Sequence, residues 1–101
     1  MQFLIVAYDA KDEGAMERRM AAREAHLASI ADYKARGHMH IGAALLDDTG
    51  KMVGSTLIVE FPTRAECDAW LNADPYVTGK VWQDITVQEC KIAPSFVAKA
   101  A

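Results

Sequence analysis

Cysteine is scarce: Cys67 and Cys90 stand far apart, with no CxxC spacing. Such a pair argues against a zinc or redox motif and fits two buried thiols in a reducing cytoplasm, with a single bridge between them left open. Basic charge is not in excess either. Eleven Lys and Arg face fourteen Asp and Glu, a formal net charge of -3. The tightest basic cluster, Arg18, Arg19 and Arg23, is diluted by Glu17 and Glu24, which excludes nucleic acid as the expected partner. Long hydrophobic runs are missing as well. Phe3 to Ala7 is a run of five with no basic residue ahead of it, whereas a secretory core is longer and a bilayer span needs about 20. The expected setting is the cytoplasm, with no membrane partner. No glycine-rich phosphate loop and no G-x-S-x-G elbow are present, so neither a cofactor nor a metal is expected.

What is present is the balance of a soluble globular protein, 51% hydrophobic and 25% charged over 101 residues. That is enough for one core and too little for two. One domain is expected over residues 1–101, with 91–101 as a C-terminal tail. "QFLIVAY" (2–8), rich in β-branched and aromatic residues, predicts a strand. From about Gly14 to Arg36 the good helix formers predict a long helix that stops at Gly37. Its apolar stripe is Met16, Met20, Leu27 and Ile30, with Lys34 at the same spacing and Arg23 interrupting.

Residues 38–61 predict two strands about the polar turn Asp47–Lys51, with Ser55–Phe61 the stronger segment. Thr63 and Glu66 form a capping-box pattern for a short helix, its apolar face made of Ala65, Ala69 and either Cys67 or Trp70. An Asp74-Pro75-Tyr76-Val77 turn follows. The last strand, over 80–90, sets Val81, Gln83, Ile85, Val87 and Glu89 against Trp82, Asp84, Thr86, Gln88 and Cys90. Pro94 closes it off.

The order β-α-β-β-α-β predicts an α+β, ferredoxin-like fold: a four-stranded antiparallel sheet with both helices on one face. Phe3, Ile5 and Ala7 oppose Leu4, Val6 and Tyr8, while Leu57 and Val59 oppose Thr56 and Ile58. Both sheet faces are therefore largely apolar, yet only one has helices to bury it. An uncovered face of that size marks an interface, and two sheets packed across a two-fold axis would cover it. A homodimer is expected; the alternative is a tail that folds Phe96 and Val97 over part of the face.

Few residues suggest chemistry. His26 lies three residues after Arg23 and two turns after Arg19, so the helix gathers Arg19, Arg23 and His26 on neighbouring points of one side. That arrangement could hold an anion beside an imidazole, though the spacing alone reads as a surface or boundary histidine. His38 and His40 form an H-x-H on the second strand, too few ligands for a metal site and more simply a solvated edge. Met16, Met20 and Met39 read as core filler, and Trp70, Trp82 and Tyr76 as core or interface anchors. Ser55, with no base beside it, reads as a strand-entry residue. Asp74 before Pro75 is a helix-capping pair.

Taken together, "REAHL" in the first helix, "GS" opening the third strand, "EF" ending it and "ADPYV" after the second helix resemble the YciI-like (YCII-related) family. The likeness runs from the first strand to the end of the fourth. It implies a dimeric α/β barrel and a site that pairs His26 with Asp74, with Ser55 beside them. One branch of the family resembles a dehydrochlorinase of chlorinated hydroxyhydroquinones, and the fold is similar to that of muconolactone isomerases. The short hairpin "AALLDDTGKMVGS" departs from the commoner family pattern, so no substrate is carried over.

On this resemblance Asp74 caps the Pro75-Tyr76 turn and has an oxygen left for His26. It would set the imidazole tautomer and favour a charged ring, which Arg19 and Arg23 oppose. His26 is then expected to exchange a proton with a small anionic, phenolic or enolisable ligand, with Asp74 orienting it. Ser55 is expected to hydrogen-bond a substrate oxygen, and Arg23, Arg19 and Tyr76 to bind the substrate. A non-catalytic ligand-binding dimer and a purely structural dimerisation domain are the other classes.

Overall fold

The computed structural model describes residues 1–97; residues 98–101 of the expected tail lie outside the described residues. In chain order the elements are β1 (Gln2–Asp9), α1 (Ala15–Ala35), β2 (Met39–Leu46), β3 (Met52–Glu60), α2 (Arg64–Ala73), α3 (Pro75–Thr78) and β4 (Trp82–Cys90), followed by a single 3-10 turn at Pro94–Phe96. The sheet is ordered β2-β3-β1-β4 with every neighbouring pair antiparallel. This is the expected ferredoxin-like arrangement, with the Asp-Pro-Tyr-Val turn wound into the short helix α3.

Local signals explain the element ends. Gly37, at φ +86°, closes α1 with a Schellman pair of hydrogen bonds, Gly37 N–H to Lys34 O at 3.0 Å and His38 N–H to Tyr33 O at 2.9 Å. Asp47 Oδ1 accepts from Thr49 N, Thr49 Oγ1 and Lys51 N at 2.7–3.1 Å, which ties the hairpin between β2 and β3. Thr63 Oγ1 accepts from Glu66 N–H at 3.2 Å and starts α2.

Strand alternation places the core. Phe3, Ile5 and Ala7 of β1 pair with Val59, Leu57 and Ser55 of β3, and all six are buried under the helices. On the opposite face Leu4, Val6, Thr56 and Ile58 are only half-buried, and Ile41 and Tyr8 are 59% and 47% exposed. Phe96 is 83% exposed, so it does not bury itself on that face.

Three helix and strand faces differ from the sequence reading. The inward side of α1 is Ala15, Arg19 and His26, with Ala22, Ile30 and Tyr33 against the core, whereas Met20 and Leu27 are about half exposed. The helix turns polar residues inward because their partners arrive from other elements. On α2 the buried residues are Cys67, Trp70 and Leu71, and Ala65 and Ala69 face out. The larger side chains bury more apolar area, and they win the core side.

The third difference is Trp82. A shift of register between Tyr8 and Asp9 pairs Asp9 with Trp82 and Tyr8 with Asp84, leaving Gln83 as the extra residue. A bulge of this kind re-aims one side chain. It brings Trp82 onto the same face as Ile85, where strict alternation would have sent it to the other side.

Cys67 and Cys90 are both free. Burial, aided by Asp68 and opposed by Arg64, pushes the Cys67 thiol up to about 11. We expect a maleimide to modify Cys67 only as fast as the protein unfolds, as read by mass spectrometry with and without urea. Labelling of the native protein at the rate of an unstructured thiol peptide would mean that α2 opens freely.

Candidate active site

The site grows from the two inward polar residues of α1. Arg19 and His26 are seven residues apart, two helical turns, and so lie on one face. Asp74 comes from the junction of α2 and α3, where its Oδ1 accepts the Tyr76 N–H at 2.9 Å and Pro75 occupies the first helical position. The same carboxylate meets His26: Nδ1 lies 2.8 Å from Oδ1 and 3.0 Å from Oδ2. Both side chains are buried. An ionised carboxylate can only accept, so Nδ1 carries the proton and the neutral ring presents its lone pair at Nε2.

Aromatic residues hold the imidazole flat. Tyr76 stacks on it at 3.8 Å between centroids and 9° between planes, and Trp82 meets it edge-on at 5.6 Å. Burial pushes the Tyr76 phenol above its ordinary value, against the pull of Arg19 and Arg23, so the hydroxyl is neutral at neutral pH.

Ser55 is the second centre. Its Oγ accepts from Arg19 Nη2 and from Trp82 Nε1, each at 3.2 Å. Gly54 before it admits no side chain, because a Cβ there would collide with the carbonyl oxygen of Ala7. That close approach accounts for the Gly-Ser pair.

Arg19 reaches Ser55 from the buried side. Expected among the substrate-binding residues, it is 3% exposed, with Nη1 on both oxygens of Asp9 at 2.9 Å and Nη2 on Gly54 O and Ser55 Oγ. It supports the site from behind, and its guanidinium lies 5.0 Å from the Tyr76 centroid. Arg23 is exposed at the mouth of the site.

A cleft of about 330 Å³ opens between α1 and the helix-side face of β2 and β3. His26, Ser55 and Tyr76 line it, together with Arg19, Arg23, Lys34 and His40. Gly42 and Ala44 face inward there in register with Leu57 and Ser55, and their small size keeps the cleft open. No Asp or Glu lines it among the described residues. Cations on a low-dielectric wall draw in anions. Glu60 engages both histidines of the H-x-H pair, His38 Nδ1 through its carbonyl at 2.7 Å and His40 Nε2 through its carboxylate at 2.6 Å. No group of three metal-ligating side chains occurs among the described residues.

Asp9 and Trp82 are the residues that the sequence reading missed as parts of the site. Asp9 carried a signal, since it continues the inward parity of Phe3, Ile5 and Ala7. Trp82 carried none, because its face depends on the bulge.

Comparison with known proteins gives the same frame. "Protein YciI" of Escherichia coli is 32% identical over 97 residues, 90% of this chain and 97% of that protein. A Haemophilus influenzae protein is 30% identical over the same shares. Among solved structures, the 5-chloro-2-hydroxyhydroquinone dehydrochlorinase TftG of Burkholderia phenoliruptrix, in complex with 2,5-dihydroxybenzoquinone, superposes with a TM-score of 0.79 at 27% identity, covering 94% of this chain and 98% of that one. A dimeric ferredoxin-like protein from Jannaschia has a TM-score of 0.54 at 14% identity, over 90% and 98% of the two chains, which supports the fold alone. Residues 1–91 match the YCII-related domain, and the chain belongs to that family.

Proposed function

We propose that this protein is a cofactor-independent acid–base enzyme of lyase or isomerase type, acting on a small anionic or phenolic substrate. One observation carries the reading: a buried imidazole held 2.8 Å from a carboxylate at the edge of a cationic cleft. Nε2 of His26 takes the substrate proton and either returns it at another atom, in an isomerisation, or passes it to solvent as the leaving group departs with the bonding electron pair, in an elimination. Asp74 keeps the tautomer and orients the ring. Ser55 hydrogen-bonds a substrate oxygen, Arg23 balances the negative charge, and Tyr76 forms the wall against which the imidazole lies. The likeness to TftG supports chemistry on an oxygenated ring.

The working form in this reading is a homodimer. The half-buried apolar face of the sheet supports it. Two free cysteines fit the cytoplasm; among the described residues no helix is long and apolar enough to cross a membrane.

The test is direct. The protein is incubated in D₂O with a panel of enolisable and phenolic acids and with 5-chloro-2-hydroxyhydroquinone, and deuterium uptake and chloride release are followed. The expected result is turnover in the wild type that His26→Ala loses while still binding the same compound. Binding without turnover in either protein would make the cleft a ligand pocket and not an active site. Unchanged turnover in His26→Ala would remove the imidazole from the mechanism.

A further inference from the structure

We infer that Ser55 can only donate a hydrogen bond to whatever occupies the cleft, so that the site prefers a ligand oxyanion at this point over the corresponding hydroxyl. The inference rests on the reading that the cleft is the ligand site, but not on catalysis. Asp9, Arg19 and Trp82 are then positioning residues that set the direction of one proton.

A serine hydroxyl has one proton and two lone pairs. Arg19 Nη2 and Trp82 Nε1 both point at Oγ from 3.2 Å, and neither nitrogen can accept. This assignment is free of the tautomer question that attends a histidine. Both lone pairs are occupied, and the hydroxyl proton must go elsewhere. Among the described residues Ser55 Oγ donates to no protein acceptor, although the residue is only 5% exposed. The remaining space beside it is the cleft that it lines.

The donors cannot easily turn away. Asp9 holds the other arm of the Arg19 guanidinium by two bonds of 2.9 Å. Trp82 is locked by the bulge in β4 and packs edge-on against Tyr76 at 5.4 Å. A phenolate, enolate or carboxylate oxygen would accept the serine proton in a charge-assisted bond. A phenol in the same place would accept a weaker one, with its own proton facing an arginine-backed wall. Charge-assisted bonds are roughly twice as strong as neutral ones, which corresponds to a preference of about tenfold. A donor-only group such as an ammonium is rejected at this position.

The experiment uses 4-nitrophenol, whose phenolate absorbs visible light and whose phenol does not, bound to the full chain and titrated with pH. The wild type is expected to lower the ionisation midpoint of the bound probe by about one pH unit, the equivalent of tenfold. Ser55→Ala should lose most of that shift, and Ser55→Thr, which keeps the hydroxyl, should restore it. Trp82→Phe frees a lone pair, lets the hydroxyl turn, and should give an intermediate value. A midpoint that is the same in wild type and Ser55→Ala would overturn the inference, and so would failure of the wild type to bind the probe saturably.

The titration is repeated on His26→Gln, which cannot pass a proton through an imidazole. A serine-dependent shift that survives there keeps the inference even if the acid–base reading fails. A shift that depends on His26 and ignores Ser55 sinks the inference and leaves that reading standing.

Discussion

Replacing Asp9 by alanine is expected to cost about 3–5 kcal/mol of stability, the usual loss when one partner of a buried ion pair is removed. The Asp9 and Arg19 side chains are 7% and 3% exposed, so water cannot take over the missing carboxylate. Arg19 Nε already lacks a partner, which leaves Gly54 O and Ser55 Oγ as the only remaining acceptors of the guanidinium among the described residues. The charge would be stranded beside Tyr76 and the core strands. Urea unfolding should show a lower midpoint with an unchanged slope. The double variant Asp9→Ala/Arg19→Met should recover much of the loss, because an apolar pair carries no desolvation penalty. A cost below about 1 kcal/mol for Asp9→Ala would place the pair among exposed salt bridges and contradict its burial.

The second large effect is on turnover. Asp74→Asn should keep the fold, since asparagine caps helices as well as aspartate does and can still receive the Tyr76 N–H. It should nevertheless lower kcat by on the order of 10² to 10⁴ for whichever compound the wild type turns over. An amide can donate to Nδ1 as readily as it accepts, which releases the tautomer and lets Nε2 carry the proton instead of a lone pair. Asp74→Ala would add the lost cap, about 1 kcal/mol, to the same kinetic defect. Measuring kcat and urea stability on both variants separates the two roles of this carboxylate. An Asp74→Asn kcat within a few-fold of wild type would leave Asp74 as a cap alone.

These two aspartates also mark how much could be read from the chain. The capping role of Asp74 was legible because it depends on its neighbours Pro75 and Tyr76. Asp9 was half legible, carrying the inward parity of β1 without any hint of what it would meet. The buried side of α1 was misread. A search for apolar periodicity assumes that the inward face is apolar, and here Arg19 and His26 occupy it. Their partners Asp9 and Asp74 lie 10 and 48 residues away, and no local pattern contains that pairing.

Trp82 makes the same point for a strand. Its alternation with Val81 and Gln83 was plain, but the bulge opposite Tyr8 and Asp9 overrode it. Once re-aimed, the indole reaches both His26 and Ser55. A register shift is a property of two paired strands and cannot be seen in one of them.

By itself, then, the order of residues determined the elements, their ends and the two-faced sheet. All of these follow from short-range rules: alternation along a strand, glycine at a helix stop, a side-chain oxygen at a helix start. Only the tertiary structure decided which polar groups would be buried together and which proton would point into the cleft. Burying a charge or a hydroxyl is tolerable only when its partners are in place, and here those partners are supplied by the packing of distant segments.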